Sequence, residues 1–495
     1  MAEAMKLPGQ LVFGLDIGTR SIVGTVGYRV GEKFHVVAQC IREHGTRAML
    51  DGQIHDIYKV GETISEVRSE LEERLGRTLK DVCIAAAGRV LRTVTVRVDM
   101  ERDSDREVSG EDIYALDSTG VEKAYEVFLK DNVSDMKFYC VGYSVVRYYM
   151  NGYTMGNLEG HRAKTIGADL IATFLPEDVV DGLYKAVDLA GLDVVNLTLE
   201  PIAAIQVAIP EMYRMLNIAL VDVGAGTSDI SITKDGSIVA YGMIPVAGDS
   251  LTEVIARHCL VDFATAEQIK RDTGSREQIE YKDIMGLSQT ISRDEIAEVT
   301  ADMIADMTGQ VSDKIKELNG GRSVSAVFVV GGGGTLPGYT EALAGKLGIQ
   351  KERVAVRGGE VMQNIEFLEA DARRDSLMVT PIGICLSFYE QSNNFIFVYF
   401  NEQRIKIYDN NKVAVVDAAM QAEFDSDGLF PKRGKELNYT VNGRPRITRG
   451  AFGESAVITV NGNEADIYTP IHANDQFKVR ESTGGEAAQV DIKEV

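Results

Sequence analysis

The residues best suited to chemistry in this chain come in two matched sets. Phe13-Gly14-Leu15-Asp16-Ile17-Gly18-Thr19-Arg20-Ser21-Ile22 and Leu220-Val221-Asp222-Val223-Gly224-Ala225-Gly226-Thr227-Ser228-Asp229-Ile230 each run from an apolar strand through an aspartate to a glycine-containing turn and a second strand. A turn built of glycine and threonine bares backbone N–H groups, which form a nest for an anion. Two such turns facing each other across a cleft would grip the β- and γ-phosphates of a nucleotide from both sides. Asp16 and Asp222, at the strand ends, stand where a phosphate-bound Mg²⁺ and its waters would lie, and magnesium needs only a few carboxylates besides retained water. One strand-Asp-Gly turn by itself is often a plain hairpin. The second copy in matched context is what points to a nucleotide.

A third set, Gly331-Gly332-Gly333-Gly334, follows the apolar strand 325–330. Successive glycines let backbone lie flat against a base or ribose, where a Cβ would collide. This turn lacks the G-x-G-x-x-G of a dinucleotide-binding unit, and no G-x-x-x-x-G-K-[ST] occurs, which excludes a P-loop.

These turns need sheets to carry them. Leu11–Ile17, Ser21–Val30 and Phe34–Ile41 read as a meander, the apolar spacing of 56–75 as an amphipathic helix, and Val82–Ala87 as a buried strand. Residues 90–165 are polar and mixed, with aromatic strands, and read as a small inserted α+β subdomain. Ala168–Phe174, Pro176–Ala190 and Asp193–Leu199 read as strand, helix and strand returning to the main sheet. A second meander over 217–243, a helix-rich stretch over about 250–319, the strand 325–330 and a helix over 339–347 repeat the pattern. The expected organisation is therefore a first lobe (1–89 and 166–205) interrupted by the 90–165 insertion, a second lobe (206–385), and a separate β-rich domain (386–495). In the last, Asn442-Gly443 and Asn461-Gly462 sit between alternating runs as hairpin turns.

Composition excludes several classes. Of 495 residues, 45% are hydrophobic and 25% charged, which suits packed cores, and the formal charge of −22 repels nucleic-acid backbones and anionic lipid. No apolar run approaches a membrane span, and Met1–Gln10 lacks the apolar stretch of a secretory leader. Five scattered cysteines with no C-x-x-C imply reduced thiols in a cytoplasm, and six histidines without metal-ligand spacing leave no histidine metal site.

The order Asp-Ile-Gly-Thr, Asp-Val-Gly-Ala-Gly-Thr-Ser-Asp, Gly-Gly-Gly-Gly resembles the actin-like ATPase superfamily, the duplicated ribonuclease H-like fold. Leu199-Glu200-Pro201-Ile202-Ala203-Ala204 is similar to that family's connecting helix beside the γ-phosphate. Ala266-Glu267-Gln268-Ile269-Lys270-Arg271 is similar to the stretch whose Glu and Lys reach ribose and adenine. Gly248-Asp249-Ser250 before a helix, and the insertion at 90–165, are most like the FtsA branch, over about residues 11–385. The resemblance implies ATP and Mg²⁺ as cofactors. Gly18, Thr19, Arg20, Gly224, Gly226, Thr227, Gly248, Glu267, Lys270, Gly331, Gly332 and Gly333 are then the binding residues. Asp16 and Asp222 hold the metal, and Asp16, Glu200 and Asp222 are the catalytic candidates for a slow Mg-dependent ATPase. It also implies self-association into filaments or oligomers and a division partner such as an FtsZ-like tubulin homologue.

The chain departs from the branch in three places. Arg20 stands where Lys or Thr is common. The ending Gly-Gly-Glu-Ala-Ala-Gln-Val-Asp-Ile-Lys-Glu-Val is no amphipathic anchor, so membrane association would come through partners or a missing C-terminal segment. The β-rich tail, which looks like a ubiquitin-like (β-grasp) fold, is additional. A DnaK-type chaperone would need a helical lid after residue 385, and a small-molecule kinase of the same fold a substrate-side catalytic Asp; neither is evident. Five tyrosines of the insertion (Tyr139, Tyr143, Tyr148, Tyr149, Tyr153) are expected to serve in part as interface anchors.

Overall fold

The computed structural model describes all residues except 1–10, 51, 88–90, 103–105, 133–135, 391–394, 402, 409–412, 423, 425–427, 473–474 and 492–495. The N-terminal segment 1–10, read from sequence as lacking a leader's apolar stretch, and the last four residues of the ending therefore lie outside the described residues. The chain divides into two compact units, Met1–Glu390 and Gln391–Val495.

The first unit opens with the expected meander, β1 (Val12–Ile17), β2 (Ser21–Val30) and β3 (Lys33–Glu43). A short hairpin follows, β4 (Met49–Leu50) and β5 (Gln53–Ile54), and leads into helix α1 (Ile57–Leu75) and strand β6 (Asp81–Ala86). Helix α1 starts where the Asp56 carboxylate accepts the Lys59 N–H at 3.1 Å and stops at Gly76 in the left-handed region, φ 60°. The inserted segment holds β7 (Arg92–Glu101), α2 (Gly110–Asp131), β8 (Phe138–Met150), β9 (Tyr153–Met155) and β10 (Thr165–Pro176). Then come α3 (Glu177–Leu189), β11 (Asp193–Leu199) and α4 (Glu200–Ala208).

The second half repeats the plan with β12 (Ile218–Val223), β13 (Ser228–Lys234) and β14 (Ser237–Ile244). Its helix-rich part, as expected over about 250–319, is α5 (Gly248–Cys259), α6 (Phe263–Asp272) and α7 (Arg293–Leu318), with the hairpin β15 (Gln278–Lys282) and β16 (Ser288–Ser292) between α6 and α7. Strand β17 (Ala326–Val330), α8 (Tyr339–Leu347), β18 (Val354–Val356), β19 (Ile365–Phe367) and α9 (Val379–Glu390) complete the unit.

The duplication is visible in the sheets. One has the order β11-β6-β1-β2-β3-β19 and the other β14-β13-β12-β17-β18, so in each the third, second and first strands of a meander are followed by two strands reached through helices. Both central strands pair antiparallel with the next strand and parallel with the one beyond. Their side chains are buried on both faces, because helices cover each side. On one face of the first sheet α1 and α3 supply Ile64, Val67, Leu71, Val180 and Leu183. On its other face α4 and α9 share a core with residues of both sheets, among them Val12, Ala203, Leu220 and Ile382. At Gly383 the two helices come so close that any Cβ would collide with the Ala203 carbonyl.

The strand 168–174 does not return to the main sheet as expected. As part of β10 it lies between β7 and β8 in the insertion's own four-stranded sheet, order β7-β10-β8-β9, and its Leu170, Ala172 and Phe174 pack under Ala124 and Phe128 of α2. Local sequence cannot distinguish the two outcomes, since a buried strand reads the same in either sheet.

The second unit comprises β20 (Phe395–Phe400), β21 (Gln403–Tyr408), α10 (Val415–Gln421), the hairpin β22 (Leu437–Val441) and β23 (Arg444–Thr448), then β24 (Val457–Val460), β25 (Asn463–Ala465) and β26 (Gln476–Arg480). Its main sheet has the order β21-β20-β26-β24-β25, with β20 and β26 parallel at the centre and α10 packed against it. This is the β-grasp arrangement. Both Asn-Gly turns form, with Asn442, Gly443, Asn461 and Gly462 all at positive φ.

Candidate functional site

Both Asp-bearing turns form at corresponding positions of the two sheets, closed by the same bond. Gly18 N–H donates to the Ser21 carbonyl at 3.1 Å, and Gly224 N–H to the Thr227 carbonyl at 2.9 Å. The first turn is braced from its own lobe: the Thr19 hydroxyl oxygen accepts the Gly52 N–H at 3.1 Å, and His44 Nε2 lies 3.1 Å from the Gly18 carbonyl. Burial holds the His44 imidazole below its ordinary pKa. The second turn is braced by the start of α5, where Gly248 N–H donates to the Gly224 carbonyl at 3.1 Å and Asp249 N–H to the Ala225 carbonyl at 2.8 Å.

Between the turns lies a carboxylate cluster. Asp16 is pushed up to about 7 by burial and by Asp222. Asp222 is itself raised by burial, against the pull of the Thr380 hydroxyl, which donates to it at 2.5 Å from α9. Glu200, at the start of α4, is held well above the usual carboxylate range by burial and then by Asp16, Asp229 and Asp222. Asp229 belongs to the same cluster and was not among the residues singled out from sequence. It stands directly opposite Asp222 in the β12–β13 register and is pushed up to about 7 by burial and by Asp222. Like charges across a strand pair are destabilising. The second Asp of the Asp-Val-Gly-Ala-Gly-Thr-Ser-Asp motif was the available signal. Among the described residues no three such groups converge into a ready cage for an ion.

The glycine run after β17 packs against this cluster. A Cβ on Gly331, at φ 79°, would collide with Asp222 Oδ1 and sit 2.5 Å from the Val223 carbonyl oxygen; one on Gly333 would sit 2.6 Å from Val223 Cγ1. Gly332 is less constrained, with Leu377 3.4 Å away from such a Cβ. Close approach to the second turn is thus a sufficient reason for Gly331 and Gly333.

Glu267 and Lys270 sit one turn apart on α6 and pair at 2.7 Å. The Thr252 hydroxyl donates to Glu267 at 2.7 Å, and Lys270 Nζ donates to the Gly248 carbonyl at 2.9 Å, so the pair is built into the base of α5. Burial alone would raise Glu267, but Lys270 and Arg20 override it and hold the carboxyl at about 2. Lys270 is lowered by burial in turn.

Arg20 departs from the sequence expectation. Its guanidinium leaves the first turn, crosses to the second lobe and pairs with both Asp249 and Glu267. Around it Arg271 pairs with Glu43 at 2.5 Å and Arg47 with Glu253 at 3.2 Å, while the Arg20 and Arg47 guanidinium carbons lie 5.2 and 4.4 Å from the Phe263 ring centre. The side chain thus joins the lobes, with Nη1 and Nη2 both committed to protein carboxylates.

Four of the five insertion tyrosines expected to serve in part as anchors are engaged within the first unit. Tyr143 is buried, Tyr139 donates to Glu177 at 2.8 Å, Tyr148 donates to Asp117, and Tyr149 donates to Asp169 at 2.6 Å under the Arg97 guanidinium. Of the five, Tyr153 alone is highly exposed, at 78%.

Residues 219–380, the second lobe, match the family model of cell division protein FtsA. Cell division protein FtsA of Pseudomonas aeruginosa is 27% identical over 270 residues, 53% of this chain and 60% of its own length. That of Bacillus subtilis is 21% identical over 404 residues, 76% of this chain and 86% of its own. The chain is FtsA-like. The match spans less than two thirds of the Pseudomonas relative and most of the Bacillus one. Among solved structures, the PilM-PilN type IV pilus biogenesis complex covers 77% of this chain and 98% of that chain at a TM-score of 0.57 and 15% identity, a likeness of fold. This FtsA-like chain thus has the two-lobed actin-like fold, and the chaperone and kinase alternatives are not favoured. No helix among the described residues is long and apolar enough to cross a membrane.

Proposed function

We propose that this FtsA-like chain binds ATP with Mg²⁺ between its lobes, hydrolyses it slowly, and assembles with copies of itself to recruit bacterial division partners, an FtsZ-like tubulin homologue among them. The observation that carries the reading is the pair of identically closed glycine turns with a buried carboxylate cluster between them. Backbone N–H groups of such turns suit phosphate oxygens, and clustered carboxylates of raised pKa suit a divalent cation. Since no three ligands form a cage among the described residues, Asp16 and Asp222 would hold Mg²⁺ through retained waters. Bound there, the ion would neutralise phosphate charge.

In this reading Gly18, Thr19, Gly224, Gly226 and Thr227 face the phosphates, and Glu267, Lys270 and the Gly331–Gly333 turn face the nucleoside. Gly248 spaces α5 from the second turn. Glu200, with its raised pKa, is the group to orient water, so the modest acceleration would come from positioning and electrostatics. Arg20 holds the lobes together. Isothermal titration with MgATP tests the reading: wild type should bind and Gly226→Val should not, because a branched side chain would fill the phosphate nest. Equal affinity in the two proteins would remove the assignment. Sedimentation with and without ATP tests assembly, and protein that stays in the supernatant under both conditions argues against filaments.

A further inference from the structure

The insertion is a small subdomain within the first lobe's sequence, yet it is bonded to the lobe it does not grow from. One face of its sheet packs Val96, Leu170 and Phe174 on Ala124 and Phe128 of α2. On the opposite face, β8 runs against β14 of the second lobe. The Ser144 and Tyr241 hydroxyls lie 3.1 Å apart, with Tyr241 only 4% exposed, and Arg147 Nη2 pairs with Asp235 Oδ2 at 3.1 Å.

Asp235 and Gly236 form the β13–β14 turn at positive φ and tie it to the segment joining the lobes. The Asp235 N–H donates to the Met215 carbonyl at 3.3 Å, and the Gly236 N–H to the Arg214 carbonyl at 3.1 Å. Arg214 then donates to the Ile209 carbonyl at 3.0 Å and to Gln206 Oε1 at 2.9 Å. Gln206 lies on α4, the helix that begins at Glu200. A continuous run of bonds therefore leads from β8 of the insertion, through the β13–β14 turn and the 209–216 segment, to the helix that presents a cleft carboxylate.

We propose that the insertion is a strut that couples the position of the second lobe, and with it the state of the cleft, to the insertion's own outer surface. A subdomain anchored in one lobe and bonded to the other cannot keep both attachments unchanged when the lobes rotate. Lobe movement on nucleotide binding is thus transmitted outward, and a partner or second copy held by the insertion biases the cleft by the same coupling free energy in reverse.

The Arg147–Asp235 pair is half exposed, at 40% and 49%, so reversing Arg147 leaves the fold intact, whereas Asp235→Arg also strains a turn at φ 54° and is referenced to Asp235→Ala, which carries the same strain without the charge. Arg147→Glu, Asp235→Arg and the double reversal are compared in two measurements. Hydrogen exchange over residues 206–216 and 238–243 should rise in each single variant and return to wild-type rates in the double. Release of mant-ATP, followed by chase with unlabelled ATP, should quicken about two- to fivefold in each single variant, the range such a pair supports, and recover in the double. Single variants whose exchange over 206–216 equals wild type overturn the strut, as does a double variant with the product of the single effects. The nucleotide measurement rests on the cleft reading; the exchange measurement does not. If wild type binds no mant-ATP, the cleft reading fails and hydrogen exchange alone decides the strut.

Discussion

Replacing Asp229 by asparagine should stabilise the protein in the absence of a divalent cation, an unusual outcome for a buried site residue. Asp229 is 5% exposed and faces Asp222 across β12 and β13, with Asp16 nearby. Its pKa stands at about 7 in the folded chain against an ordinary 3.8. A carboxyl raised by folding binds its proton more tightly in the folded state. Its contribution is therefore fully present below about pH 4, falls as pH rises, and is lost above about pH 7. At roughly 1.4 kcal/mol per unit, the ionised group costs the folded state on the order of 4 kcal/mol at pH 8. Asparagine keeps an oxygen to accept the Thr227 hydroxyl, which lies 3.2 Å from the carboxylate, and carries no charge. Chemical denaturation of wild type and Asp229→Asn at pH 5 and pH 8, without divalent ions, measures the effect. The advantage of the variant should be about 1.5 kcal/mol at pH 5 and about 4 kcal/mol at pH 8, and adding Mg²⁺ at pH 8 should shrink it. A variant destabilised equally at both pH values would show that the mutual repulsion inferred from the register is absent.

Other outcomes follow from the same geometry. Arg20→Ala leaves Asp249 and Glu267 without a partner across the cleft and should destabilise the first unit by on the order of 2 kcal/mol, part of the cost of breaking a buried pair, as read by urea denaturation. If Arg20 only joins the lobes, affinities for ATP and ADP should weaken by the same factor; a loss confined to ATP would return it to the γ-phosphate. Gly331→Ala should cost several kcal/mol in thermal melts, since its Cβ meets Asp222 and the backbone is left-handed there, whereas Gly332→Ala should be mild. Residues 391–495 expressed alone should melt cooperatively, because their core of Val398, Phe400, Ile458 and Phe477 is internal to that unit.

Truncation has to respect the observed sheet. A cut at 90–165 removes both strands that flank β10 and exposes Leu170, Ala172 and Phe174, so it damages what remains instead of detaching a module. A deletion that spans 92–176 removes the whole sheet, although it also takes away the contact with β14.

Local chemistry was enough to find the two Asp-bearing turns, the hairpins at Asn442-Gly443 and Asn461-Gly462, and the helices at 56–75 and 339–347. Turn residues, caps and apolar period are properties of neighbouring residues, and tertiary packing did not override them here. The duplicated motif also implied two lobes, because each copy needed a sheet of its own. What the chain could not reveal locally was which side chains meet across long separations. Asp229 joined the cluster through strand register, Arg20 found its carboxylates 229 and 247 residues away, and β10 took its sheet from β7 and β8. Pairing of this kind depends on how the two lobes and the insertion are placed, and charge complementarity over a few ångströms leaves no trace in the spacing of residues along the chain.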